Sequence, residues 1–171
     1  AYAYSQGLEF AVSSDWIKDE NTTSMWVQGI LVNALANLDV PVLSRLHKAW
    51  SINDNKNVLY WNDYLFASRD SRELQAEEQQ LAHALARLLG DLGISEAVEW
   101  RESSRACFLT LFSLGASHWK IPLNEASWGY LWMWAENQVL AAIKLVPLGQ
   151  TSGQKILSSA TAIIPELVST G

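Results

Sequence analysis

Apolar residues recur along this chain at helical intervals, with few stretches of strict alternation, a spacing that lines one face of a helix and not of a strand. The clearest run extends from Ser71 to Leu92, where Leu74, Leu81, Leu85, Leu88 and Leu92 mark one apolar face. Asp70 is expected to cap that helix, with Glu73 at its third position completing a capping box, and Gly90 and Gly93 to mark its end. Upstream, the pattern predicts a short helix from Ser5 to about Ser13 and a second from about Thr22 to Leu38. Pro41 then starts a third, which turns Leu43, Leu46 and Trp50 inward, and a fourth from about Val58 to Ser68 presents Trp61, Leu65 and Phe66. Downstream come a segment near Ser104 to His118, a long helix from about Asn124 to Val146 behind Pro122, and a last one from Gln150 to about Ser169. With short loops and no repeat or long linker, the pattern predicts an all-α fold: one domain over residues 1–171, a compact helical bundle with the long, Trp-rich helix near its centre.

A length of 171 residues and a 49% hydrophobic content allow one core of ordinary size. The nine tryptophans are spread along the chain, which favours core and interface packing over a cation cage. A net charge of −6 with no basic stripe argues against nucleic acid as a partner. Cys107 is the only cysteine, so no internal disulfide can form, and a reducing, cytoplasmic location is expected. No run of about 18 apolar residues is seen, so no membrane partner is expected. The chain starts at Ala1 without a methionine or a leader, which reads as a truncated start.

The residues that usually carry chemistry do not form a constellation. His47, His83, His118 and Cys107 fall on different predicted helices without metal-ligand spacing, so no metal site and no bound cofactor are expected. There is no phosphate-binding glycine loop, dinucleotide fingerprint or nucleophile elbow, and no polar set to anchor a small-molecule pocket. Catalytic residues are therefore not expected.

The segment from Glu136 to Gln154 is more specific. Pro147 should end or kink the long helix, and Gly149 can adopt a positive φ to turn the chain. Resumption at Gln150 puts Gln150 and Gln154 on one face, with Gly149 and Gly153 beside them as a stripe without side chains. Two readings stay open: the glycines only let two helices of this fold approach, or the corner receives a partner. Glu9 is not explained as a local cap when Ser5 occupies the N-cap, and Lys144 sits in a mostly apolar turn, where snorkelling and the helix dipole also account for it. Arg69, Arg72 and Glu73 at the start of the Ser71 helix are either solvated charges or, for the arginines, forked donors to a carboxylate on a partner or a second subunit.

The wording of three segments resembles the urease accessory protein UreF family. Lys144 to Leu157 reads KLVPLGQTSGQKIL behind a Trp-rich helix that carries ENQV, Tyr4 to Glu9 resembles the family's SQGLE or SHGLE segment, and Ala67 to Glu78 its ELR-type segment. The resemblance implies an all-α scaffold for urease maturation that binds UreD (also called UreH), recruits the nickel-carrying GTPase UreG and serves the urease apoprotein, commonly as a homodimer. An alternative it implies is a regulator of that GTPase acting in trans, with Arg69, Arg72 or Lys144 as the supplied group. Carried across by motif, the partner-binding candidates are Ser5, Gln6, Gly7, Glu9, Lys144, Pro147, Leu148, Gly149, Gln150, Gly153 and Gln154, to which Arg69, Arg72 and Glu73 are added. Nickel is expected to be handled by the complex and not bound tightly here. The sequence departs from the family pattern at Gln75, where arginine is common, and at Gln80-Leu81-Ala82-His83, where a glycine often follows Gln-Met. The family's Ser- and Pro-rich entry segment and its C-terminal tail are expected to be missing, so that a chain lacking the tail dimerises yet fails to assemble the full complex.

Overall fold

The computed structural model describes residues 5–169, with side chains from residue 7 onward, and every regular element among them is helical. The elements are α1 (Ser5–Ser13), α2 (Glu20–Ile30), a wider π-type segment (Leu31–Asp39), α3 (Val40–Ser51), α4 (Asn55–Ser68), α5 (Arg72–Asp91), a 3₁₀ segment (Ser95–Trp100), α6 (Phe108–His118), α7 (Leu123–Leu145), α8 (Gln150–Ala162) and α9 (Ile164–Ser169). They fall into two compact units, one of residues 1–37 with 127–171 and one of residues 38–126.

Pro41 lies in the first turn of α3, as expected, but the chain does not leave helical geometry before it. Residues from Glu20 to Ser51 are helical throughout, and Asp39, two residues before the proline, has φ −65° and ψ −44°. A proline ring inside a helix strikes the carbonyl four residues back and leaves it without a donor. Here the turns before it widen to the i→i+5 register, which relieves that crowding without breaking the rod. The resulting 32-residue helix is long and apolar enough to cross a bilayer by length and composition alone, a length missed by stopping the helix before Pro41. Leu31, Leu35 and Val40 along it are buried in the protein, and Asp39 at mid-length is ion-paired with Arg69. The helix starts at a capping box in which Asp19 accepts from the Thr22 N–H at 2.8 Å, and the hydrogen bonds from Thr22 hold the Asp19 carboxyl below the usual carboxylate range.

The first unit is organised around a small core of Leu8, Ala11, Ile17, Ala142 and Val146, with Val12, Trp26, Ala141 and Leu148 packed on it. This core joins α1 to the C-terminal end of α7, while α2 packs on α8. Within this unit α7 buries Tyr130, Leu131, Trp134, Ala135, Gln138, Val139 and Ala142, a stripe at spacings of three and four, and leaves Trp128, Leu140 and Lys144 exposed. Its aromatics therefore divide between the two faces. The last predicted helix is two: Ile163 closes α8, and α9 starts at Ile164 with Pro165 in its first turn.

In the second unit α3 packs on α4 and α6, and α5 on α6 and the 3₁₀ segment. Leu43, Leu46 and Trp50 point inward as the spacing implies, and Trp50 Nε1 donates to the Thr110 carbonyl at 3.0 Å. On α5 the expected apolar face is displaced. Leu88 and Leu92 are exposed and Leu74, Leu81 and Leu85 only half-buried, whereas the buried stripe is Glu78, Ala82, Ala86 and Leu89. Alanine on that stripe lets neighbouring elements approach where leucine would hold them off. The cap is Ser71, one residue after Asp70, and its hydroxyl accepts from the Leu74 N–H at 3.1 Å. Gly90 lies within the last turn, and the chain leaves the helix through Gly93 at φ +93°.

Gly153 lies close against α7: a Cβ there would lie 2.5 Å from Ile143 Cδ1, 3.2 Å from its Cγ1 and 3.5 Å from Val139 Cγ1. Around Gly149 nothing lies within 4 Å of such an atom. Gly153→Val is therefore expected to cost about 1–3 kcal/mol through overpacking, and Gly149→Ala to leave stability unchanged within about 0.5 kcal/mol. Urea denaturation of both variants checks this contrast.

Candidate functional site

The corner after α7 is built by a very short turn. The Val146 N–H closes the last helical bond to Ala142 at 2.8 Å, and the Leu148 N–H donates to the Val146 carbonyl at 2.6 Å, turning the chain around Pro147. Gly149 does not use a positive φ. It is extended, at φ −79° and ψ 171°, and forms the N-cap of α8 without a side-chain cap, so the reversal is carried by residues 146–148.

Lys144, Pro147, Gly149, Gln150 and Gln154 are exposed, Leu148 is half-buried against the small core, and Gly153 is buried under α7. The glutamines do face out together on α8, while Gly153 serves helix approach within the protein. At the other end of the sequence, Gly7 and Leu8 turn inward, with the Gly7 backbone near the Trp26 ring, and Glu9 is exposed. Ser5 and Gln6 open α1, and their side chains lie outside the described residues, as does the expected Ser5 cap. Because Leu8 and Val146 share one core, the N-terminal segment and the corner belong to the same packed cluster.

Arg69, Arg72 and Glu73 belong to the second unit and differ among themselves. Arg72 and Glu73 are exposed on the first turn of α5. Arg69 is held within its unit: its Nη2 lies 3.0 Å from Glu78 Oε1 and 3.5 Å from Asp39 Oδ2, its Nε donates to Glu78 Oε1 at 3.0 Å, and its carbonyl accepts from Gln75 Nε2 at 3.2 Å. Gln75, which stands where the family often has arginine, thus tethers the backbone at Arg69. Glu78 also accepts the Phe108 N–H at 3.3 Å through Oε2, so one carboxylate ties the α4–α5 connection to the start of α6. Burial pushes the Glu78 carboxyl above its ordinary value, and the Asp39 charge adds to this, against the opposing pull of the Arg69 guanidinium.

This network was not anticipated from the sequence, in which Glu78 only falls near the N-terminal dipole of its helix. Two signals could have found it: Glu78 lies in register with Ala82, Ala86 and Leu89, and Asp39 interrupts an apolar run directly before Val40. Beside it, Asn62 binds the α6 entrance, donating to the Arg105 carbonyl at 2.8 Å and accepting from the Cys107 N–H at 3.0 Å and the Thr110 hydroxyl at 2.7 Å. Cys107 is buried, and burial pushes its thiol well above the usual range, away from reactive thiolate chemistry.

The histidines are dispersed. His47 Nε2 lies 2.9 Å from the Ile121 carbonyl, His83 Nε2 lies 2.7 Å from the Ser103 carbonyl, and His118 packs edge-on to Trp119. Among the described residues no three His, Cys, Asp or Glu side chains are grouped to hold a metal ion.

A raised Glu78 value means that the folded protein holds this proton to higher pH than the unfolded chain does. Its contribution to stability is therefore lost progressively as pH rises from the ordinary glutamate value to the raised one, and is flat outside that window. Glu78→Gln is expected to remove that component of the slope in urea denaturation across pH. Arg69→Met, which takes the guanidinium away from two buried carboxylates, is expected to cost about 3–5 kcal/mol at pH 7.

A family model described as UreF matches residues 17–161. The urease accessory protein UreF of Alkalilimnicola ehrlichii is 49% identical over 157 residues, covering 92% of this chain and 69% of that protein. The protein of the same name from Hahella chejuensis is 40% identical over 168 residues, covering 98% and 75%. That of Teredinibacter turnerae is 42% identical over 165 residues, covering 96% and 74%.

Proposed function

The chain belongs to the UreF family, and on that premise we propose that it acts without catalysis of its own, as a scaffold in urease maturation. In this reading it binds UreD/UreH, recruits UreG for nickel insertion into the urease apoprotein, and works as a cytoplasmic homodimer. The observation that carries the reading is the corner itself. Lys144, Gln150 and Gln154 offer an ammonium and two amides, and Pro147 and Gly149 offer bare backbone, on a turn that Gly153 holds tightly to α7. A polar surface on a fixed support suits recognition, because little of its conformational freedom remains to be lost on binding. Glu9 is a further exposed charge, of opposite sign, on the helix that shares its core with Val146.

Arg69 fits the same reading as a structural residue, since its release to a partner would take the guanidinium from the buried Glu78 and Asp39 carboxylates. Arg72 and Lys144 are then the exposed cations left to a role in trans on the GTPase.

Size-exclusion chromatography with light scattering tests the scaffold on the full-length protein, alone and mixed with UreD and then with UreG and GTP. Wild type is expected to form the complex, and Lys144→Ala and Gln150→Ala to weaken it by about tenfold each, equivalent to about 1.4 kcal/mol, with unchanged thermal unfolding. GTP turnover by UreG is expected to be the same in its presence and absence. An acceleration that disappears in Arg72→Ala or Lys144→Ala would replace the scaffold with the regulator.

A further inference from the structure

In the second unit α3 and α4 pack side by side and, joined only by residues 52–54, run antiparallel. Helix α4 buries Val58, Asn62, Leu65 and Phe66, and the opposite side of such a helix is ordinarily polar. Here that side carries Tyr60 and Tyr64, one turn apart and 58% and 49% exposed. Trp61 connects them: its ring meets Tyr60 edge-on at 4.9 Å and Tyr64 at 5.5 Å, and the Arg45 guanidinium of α3 lies 5.8 Å from its centroid. Side chains from two helices thus form one continuous outer surface.

The charges on this surface are one-sided. Lys48 lies one turn from Arg45 on α3 and Lys56 one turn from Tyr60 on α4, and all three cations are exposed. The acids of the pair are engaged within the fold. Asp54 accepts the Asn57 N–H at 3.1 Å as the cap of α4, and Asp63 lies 3.4 Å from Arg105 Nε. Arg45, Lys48 and Lys56 form no ion pair among the described residues. In a chain of net charge −6 this is a local excess of positive charge, and its complement is a set of carboxylates. The rings between the cations have aliphatic side chains as their complement. Nucleic acid suits the surface less well, because its affinity grows with the number of phosphates neutralised and three cations supply few, while the net charge repels a polyanion.

We propose that the outer face of the α3–α4 pair docks an acidic amphipathic segment of a partner polypeptide. Its carboxylates meet Arg45, Lys48 and Lys56, and its aliphatic side chains lie on the rings of Tyr60, Trp61 and Tyr64. Tyr, Trp and Arg are the residues that dominate binding energy at protein interfaces. Stacking on Trp61 also holds the Arg45 fork in place, so that less freedom is lost when it takes a carboxylate. This surface lies in the second unit and does not depend on the scaffold reading.

The test is a ¹H–¹⁵N titration of the intact protein that follows the Trp61 indole N–H, assigned with Trp61→Phe. The probes, raised to millimolar concentration, are an acetylated Leu-Glu-Glu-Leu-Leu-Glu-Glu-Leu peptide amide, its counterpart with Gln at every Glu, and a short oligothymidylate. The Trp61 resonance is expected to shift saturably with the Glu peptide, and the Gln peptide and the oligothymidylate to bind about tenfold more weakly or less. Arg45→Gln, a surface substitution, is expected to lower binding of the Glu peptide by about tenfold with thermal unfolding unchanged, and added salt to weaken that binding while leaving the Gln peptide alone. An unmoved Trp61 resonance, equal binding of the two peptides, tighter binding of the oligothymidylate, or undiminished binding by Arg45→Gln would each overturn the proposal.

Discussion

The close approach of α8 to α7 at Gly153 is the constraint on which the proposed recognition surface depends. A turn of three residues leaves the chain little choice of path, but a free turn still samples several conformations, and ordering each of them on binding is costly. Here the second helix is pinned where a side chain is missing, against Ile143 and Val139. The exposed glutamines therefore stand on a face whose position is set by packing on α7, and the same end of α7 holds Leu8 of the N-terminal segment through Ala142 and Val146. Close packing at Gly153 and the proposed recognition at Gln150 and Gln154 draw on one piece of geometry: the buried side of α8 fixes what its outer side presents.

The second unit solves a different problem with charge. Its helix α5 meets its neighbours over alanines, which bring backbones close but bury little apolar area each, and the polar groups caught in the contact must satisfy one another. Glu78 does so by taking Arg69 from the α4–α5 connection and the N–H of Phe108 from the start of α6, and Asn62 makes a parallel connection at Cys107 and Thr110. Such a network adds little net stability over an apolar core, because the desolvation of the charges offsets most of their attraction. It does specify geometry, since a shifted register would leave each partner buried and alone.

Much of this fold was legible in the sequence because helical periodicity and proline placement act locally. The inward set of α3, the start of α7 after Pro122 and the corner at Pro147 all follow from residues within a few positions of the feature. The failures share a cause. Pro41 was read as a break because its local rule is strong, yet a wider helical register absorbed it. The α5 leucines were turned inward because hydrophobicity is the usual guide, yet their burial depended on which neighbours came close, and alanines permitted that. Of the candidate site, the outward glutamines, Lys144 and Glu9 were legible as polar residues that local capping did not explain. The commitment of Arg69 to Glu78 and Asp39, which lie 9 and 30 positions away in sequence, was not.

Hydrogen–deuterium exchange of the full-length protein with and without UreD tests most directly whether the corner is a recognition surface. The account predicts slowed exchange at the amides of residues 148–154 and around Glu9, with the start of α5 unaffected. Protection confined to other helices, with the corner exchanging as fast as in the unbound protein, would contradict it.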